Sequence, residues 1–167
     1  MSVSTKAGQE KIETKRINWG HRTIHTEIII NAKPEEVWTV LTDTKNYPKW
    51  AKFLKQIDGD IRHQGKIDAY FQFNDKKDNL NKIHHTISVT EGQEFSWSEV
   101  FMAGIKDFHR FIVEPTTDGK TRFIQSDEAK GGLAWLLGKS IINLEKKGYP
   151  KFNRSLRAEV ERRYSNK

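Results

Sequence analysis

The chain has 167 residues, no cysteine, and 29 lysines and arginines against 22 aspartates and glutamates, for a formal charge of +7. That length suits one domain with a sizeable buried core, and the lack of cysteine excludes disulfides, thiolate ligands and thiol nucleophiles. No run approaches the ~20 apolar residues of a transmembrane helix, and residues 1–18 hold no apolar stretch of the secretory type, so a cytoplasmic, redox-indifferent protein is expected.

Residues 1–20 alternate charged and small polar groups without steady period and read as a loosely held arm, with Ile12, Ile17 and Trp19 able to dock on a domain spanning 21–167. From Thr23 onward Ile24, Thr26, Ile28 and Ile30 fall on one side of an expected strand. Pro34 starts a helix at the position where a missing N–H costs nothing, and Glu35 and Glu36 sit at its positive end. Val37, Val40 and Leu41 form the helix's apolar stripe. A second short helix is expected after Thr44, with Tyr47-Pro48 turning the chain toward Trp50 and Phe53.

Beyond Phe53, turn signals recur at hairpin intervals: His63-Gln64-Gly65, 74–81, Glu91-Gly92-Gln93, Ala103-Gly104 and 115–119. They imply an antiparallel meander of six or seven strands. After Gly131-Gly132 the apolar spacing becomes helical through Leu133, Leu136, Leu137, Ile141 and Leu144, then Tyr149, Phe152, Leu156 and Val160. Gly148 and Pro150 predict a kink or break in that helix.

Simple hairpins at those turns pair Ala69 with His85, His85 with Glu99, Glu99 with His109, and His109 with Gln125. Period two then gives one inward face carrying the rows Ile67, Ile87, Trp97, Phe111, Phe123; Phe71, Ile83, Phe101, Asp107, Asp127; and Val89, Phe95, Val113, Thr121. The outward face is polar apart from Val100, Phe108, Ile112 and Ile124, a patch to be covered by the arm or used in self-association. His85, Glu99, His109 and Gln125 cross the inward face between aromatic rows, and an unpaired buried polar group costs about 1–3 kcal/mol. Either Glu99 bridges the two histidines in a filled core, or the band orients a mostly apolar guest in a cavity.

Other chemistry finds little support. Neighbouring His84 and His85 point to opposite faces of a strand. A metal held by His85, Glu99 and His109 has geometry in its favour but no local motif, so no metal or other cofactor is expected. Gly-x-Ser-x-Gly elbows and phosphate-binding glycine loops are missing. The scattered basic residues, densest at Glu145-Lys146-Lys147 and 157–163, are interspersed with acids on an expected helix; they read as a solvated face and argue against nucleic acid.

Taken in order, Pro34-Glu35-Glu36-Val37-Trp38, Tyr47-Pro48-Lys49-Trp50, Phe95-Ser96-Trp97, His109-Arg110-Phe111, Pro115, Gly119-Lys120-Thr121-Arg122, Glu128 and Gly131-Gly132 give the chain a likeness to a known family. It resembles the SRPBCC superfamily, the helix-grip fold of START domains and Bet v 1-type proteins, and within it the polyketide cyclase/dehydrase and lipid-transport-like group. The Asp-x-Arg-x-Gly-Gly element of the chaperone ATPase activators, Rieske ligands and the allergens' glycine-rich loop are missing.

The resemblance implies an α+β helix-grip fold, with a curved antiparallel sheet around a long C-terminal helix and two short helices after the first strand. It also favours a ligand cavity between sheet and helix.

The first functional expectation is therefore binding of a small hydrophobic molecule. Its walls would be Ile67, Phe71, Ile87, Trp97, Phe101, Phe111 and Phe123, with Leu137, Ile141, Tyr149 and Phe152 from the helix, and His85, Glu99, His109 and Gln125 as the orienting band. The second is a cyclase or dehydratase with Glu99 and His109 as catalytic candidates, placed within hydrogen-bonding reach of each other. The third is a protein or membrane interaction module with a solid core.

Overall fold

A computed structural model describes residues 10–74, 79–100 and 102–164. Strands β1 (Glu10–Asn18) and β2 (His21–Ile30) lead into helix α1 (Pro34–Thr42), a 3-10 turn at Thr44–Asn46 and helix α2 (Tyr47–Trp50). The remaining strands are β3 (Leu54–Gly59), β4 (Lys66–Phe71), β5 (Asn81–Thr90), β6 (Glu94–Trp97), β7 (Lys106–Asp107), β8 (His109–Pro115) and β9 (Thr121–Lys130), followed by helix α3 (Ala134–Tyr164).

The nine strands make one antiparallel sheet in the order β1-β2-β9-β8-β6-β5-β4-β3, with β7 also on β9. The helix-grip architecture is the expected one, with more strands than six or seven. Two sources account for the difference: Glu10–Asn18, assigned to the arm, pairs along β2 as an edge strand, and the two-residue β7 breaks off ahead of β8.

Local chemistry sets the helices. Lys33 N–H donates to Glu36 Oε2 at 2.9 Å, closing the start of α1 behind Pro34. Tyr47 is fully buried, and its hydroxyl donates to Leu41 O; its ring meets Trp50 at 4.9 Å and Phe152 at 5.7 Å. The short helices are thereby pinned to α3. Pro150 lies inside α3, where a kink or break is expected, and since the helix runs from Ala134 to Tyr164 there is no break. Lys146, whose carbonyl loses its helical donor to Pro150, is exposed, so water can take that bond.

Inward parity is as expected: Ile67, Phe71, Ile87, Phe95, Trp97, Phe111, Val113 and Phe123 are all buried in one core. Three registers nevertheless differ by two residues. Ala69 opposes Ile83, His109 opposes Trp97, and Gln125 opposes Phe111; only the β5–β6 register stands as drawn. For β6–β8 the reason is local. Ala103 itself takes a left-handed φ of 59°, so the hairpin pivots one residue before the expected centre at Gly104. A slip of two leaves every side chain on its face but changes its neighbours.

On the outer face Ile124 is buried, while Val100 and Phe108 are exposed and the Arg110 guanidinium lies 5.7 Å from the Phe108 ring centre.

Candidate functional site

Between the sheet and α3 lies a cavity of about 180 Å³. Phe53, Phe71, Ile83 and Trp97 form its apolar walls, and Phe73 and Met102, both exposed, flank its open side. From α3, residues Ile141, Glu145 and Tyr149 face it at intervals of four, one turn apart on a single stripe. His85, His109, Asp107 and Asp127 complete the lining from the strands.

The floor depends on an unusual pair. Phe53 holds φ of 73°, rare for a non-glycine residue, and its ring presses so close to Gly148 that a Cβ there would lie 2.3 Å from Cδ2. Only glycine fits that turn of α3.

His109 is fully enclosed. Gln125 Nε2 donates to His109 Nε2 at 2.9 Å, which puts the ring proton on Nδ1. That nitrogen faces the Tyr149 hydroxyl at 3.4 Å and Asp127 Oδ2 at 3.6 Å. Tyr149 in turn donates to Asp127 Oδ2 at 2.6 Å, and Asp127 Oδ1 accepts the N–H groups of Phe108 at 3.1 Å and Glu128 at 2.7 Å. His85 stacks on Trp97 with ring centres 4.6 Å apart. Neither of its ring nitrogens has a partner among the described residues, and Glu145 Oε2 is likewise sealed and unpaired. From Gln125 a second thread runs outward: Thr26 Oγ1 donates to Gln125 O at 2.9 Å and accepts from Asn153 Nδ2 at 2.9 Å.

Burial dominates the electrostatics. It drives His109 well below its ordinary range, with His85 as a lesser cause. His85 falls to about 4 through burial and then through His84. Burial, aided by Asp107, raises Asp127 despite its three hydrogen bonds, and Glu145 is pushed well up by burial, then by Asp127 and Asp107. The site thus combines neutral imidazoles with carboxyl groups that resist ionising.

The sequence-derived site divides in the structure. Phe71, His85, Trp97, His109, Ile141 and Tyr149 line the cavity. Ile67, Ile87, Phe111, Phe123 and Phe152 are buried in the core behind it, and Gln125 supports His109 without lining the space. Leu137 packs on a separate small cluster of Ile105, Ala129 and Ala134. Phe101 lies outside the described residues.

Glu99 is the main correction. It is half-exposed, and its Oε1 accepts the Thr86 N–H at 3.0 Å. Among the described residues the side-chain partners of the His109 ring are Gln125, Tyr149 and Asp127, not Glu99. The two-residue slip between β6 and β8 sets Trp97 in its place. His85, Glu99 and His109 therefore do not converge as metal ligands.

Asp107 borders the cavity and accepts the Glu99 N–H at 2.7 Å, while the carboxyl group nearest His109 is that of Asp127. Asp107 and Asp127 were visible on the inward face but were not chosen as site residues. Glu145 was read as part of a solvated charge run, although its spacing of four from both Ile141 and Tyr149 was a usable signal.

A pH experiment tests these environments. Burial raises Asp107 from 3.8 to about 6, so its contribution to stability is fully present below its unfolded value and is lost as pH rises through 6. His85, lowered from 6.5 to about 4, acts oppositely: its contribution is present above 6.5 and is lost as pH falls through 4. The two slopes offset each other in the wild type. Asp107→Asn keeps the acceptor for Glu99 N–H but removes one titration. Its stability should therefore drop by about 1–3 kcal/mol more than wild type on going from neutral pH to acid at pH 4. Urea midpoints at the two pH values measure this, and parallel behaviour of the two proteins would refute the buried state assigned to Asp107.

The sequence profile of the family described as polyketide cyclase / dehydrase and lipid transport matches residues 21–161. A comparison with curated proteins finds no match. Among solved structures, the Zhui aromatase/cyclase from Streptomyces sp. R1128 aligns with a TM-score of 0.68 at 11% identity, over 86% of this chain and 95% of its own. The di-domain ARO/CYC StfQ from the steffimycin biosynthetic pathway gives 0.70 at 9% identity, over 88% of this chain and 53% of StfQ, so the chain spans about half of that protein. Ara h 8.0201 gives 0.62 at 16% identity, over 84% of this chain and 98% of its own.

At such identities the structural likeness is one of fold, and the profile match over most of the chain supplies the family. A sheet gripping one long helix, with a match running from β2 nearly to the end of α3, makes this chain a member of the polyketide cyclase/dehydrase and lipid transport family within the SRPBCC superfamily.

Proposed function

We propose that the protein binds a small, largely apolar molecule in the cavity between sheet and α3. The observation that carries this reading is a cavity of about 180 Å³ walled by phenylalanine and tryptophan, yet bordered by a buried histidine with both ring nitrogens unpartnered. An apolar cavity of about 150 Å³ is enough for benzene, so a guest of one substituted ring fits. The polar lining would orient it. An interaction module with a solid core is disfavoured by the same cavity. No helix among the described residues is long and apolar enough to cross a membrane, and the cysteine-free composition suits the cytoplasm as the proposed compartment.

A second reading, a cyclase- or dehydratase-like enzyme, is favoured by the Tyr149–Asp127–His109 network. It joins a buried carboxyl group, a phenol and a neutral imidazole beside the same space, the kind of set that moves protons. Binding is tested first, by titration calorimetry with toluene as probe. About one equivalent per chain is expected, and Ile141→Trp, which fills the space, should weaken toluene at least tenfold. Unchanged affinity in a folded Ile141→Trp protein would put the guest elsewhere. Turnover of an activated carbonyl compound, abolished in Tyr149→Phe with binding retained, would favour the enzyme.

A further inference from the structure

The polar groups around the cavity are of one kind. Asp107, Asp127 and Glu145 approach it from β7, β9 and α3, with two neutral imidazoles and the Tyr149 hydroxyl between them. Among the described residues no lysine or arginine lines it. Among those residues nothing offers a positive charge to a guest, and the Tyr149 hydroxyl is already engaged, donating its hydrogen bond to Asp127. An anionic guest would meet three carboxyl groups in a desolvated space, the arrangement least able to hold it.

Two of these groups are without a partner among the described residues. Glu145 Oε2 is sealed from solvent and unpaired, and His85, 4% exposed, has two unpaired ring nitrogens, one of which must accept. Burying such groups unsatisfied costs free energy, and a guest carrying several N–H donors would recover it. The remaining wall is aliphatic at Ile83, Ile141 and Leu144 and otherwise largely aromatic. Phe53, Phe71 and Trp97 offer ring faces both to a planar apolar body and to a cation beside it.

We infer that the guest is a primary arylalkyl amine, bound as its ammonium with the nitrogen toward Glu145 and His85 and the ring among Phe53, Phe71 and Trp97. This rests on the binding function proposed above and names its ligand class. The protons balance simply: the amine enters as R–NH₃⁺, the Glu145 carboxyl group loses its O–H proton to solvent, and an ammonium–carboxylate pair remains. Asp107 strengthens the field around the cation. Tyr149 and His109 hold Asp127 in place.

The test compares three probes of nearly equal shape, 2-phenylethylamine, 2-phenylethanol and phenylacetate, by titration calorimetry at pH 7 in two buffers of different ionisation enthalpy. The amine should bind at least tenfold tighter than the alcohol, phenylacetate should bind weakest, and proton release should accompany the amine alone. Glu145→Gln should close the gap, bringing the amine down to the affinity that the same variant shows for the alcohol. Asp107→Asn, which keeps its backbone hydrogen bond, should weaken the amine by a smaller factor and serves if the first variant folds poorly. Alcohol binding equal to or tighter than amine binding, or a preference for phenylacetate, would overturn the amine assignment while leaving an apolar-ligand protein intact. Failure of all three probes, and of toluene, would remove the binding function together with it.

Discussion

Replacing Phe111 by alanine should cost about 3–5 kcal/mol, the range for emptying a large aromatic from a packed core. The ring is fully buried and stands at the centre of the aromatic cluster, with ring centres 4.6 Å from Phe95, 5.3 Å from Trp97, 4.4 Å from His109 and 5.7 Å from Phe152. Every neighbour is held by something else: Phe152 by Tyr47 and Trp50, and His109 by Gln125 and Tyr149. Collapse into the void is therefore limited, which puts the cost toward the upper end. Against a typical total of about 5–15 kcal/mol this is a large fraction of all stability. Denaturant unfolding gives the number, with exposed Phe73→Ala as the control expected near or below 1 kcal/mol. A loss at Phe111 no larger than at Phe73 would mean that the cluster is not the packed centre of the molecule.

The second large effect is expected at Gly148. Alanine is better than glycine in a helix interior by about 1 kcal/mol, so Gly148→Ala on a free surface of α3 would stabilise. Here its methyl group would meet the Phe53 ring, with Cδ2 and Cε2 both at 2.3 Å. That ring has little room to retreat, since Phe71 stands 5.6 Å, Phe73 5.8 Å and Tyr149 5.7 Å from its centre. The open direction is the cavity.

A net destabilisation of about 1–3 kcal/mol is expected from overpacking, together with loss of toluene binding as Phe53 moves into the guest's place. Adding Phe53→Leu to Gly148→Ala should restore much of the stability. The coupling between the two sites, read from a double-mutant cycle, should exceed about 1 kcal/mol. Additive effects would show that the two residues do not share that contact.

How much of this was legible in the sequence depended on the range of the interaction. Pro34 with Glu36, and Tyr47 ahead of Pro48, act within a few residues, so the helix starts could be read directly. The inward parity of Ile67, Trp97, Phe111 and Phe123 was legible for a similar reason: alternation survives any slip of two. Register was harder. It turned on Ala103 adopting a backbone conformation that glycine adopts more readily, and that displaced Glu99 from His109. Glu145 was hidden by its charged neighbours Lys146 and Lys147, since only the packed helix decides which of the three faces the sheet. The clamp of Phe53 on Gly148 joins residues nearly a hundred positions apart and leaves no local pattern.

An open sheet also has rims. Among the described residues they are β1 and β3, each with a neighbouring strand on one side only. Rims of that kind invite another chain to continue the ladder. Along β1, Lys11 and Lys15 are exposed and Glu13 is half-buried, with Lys11 and Glu13 paired at 2.9 Å. β3 carries Lys55 and Asp58 and loses regular pairing between Leu54 and Gln56. An incoming strand would have to strip water from lysines on one rim and match an irregular backbone on the other. Charged side chains on both rims thus oppose the addition of a further strand.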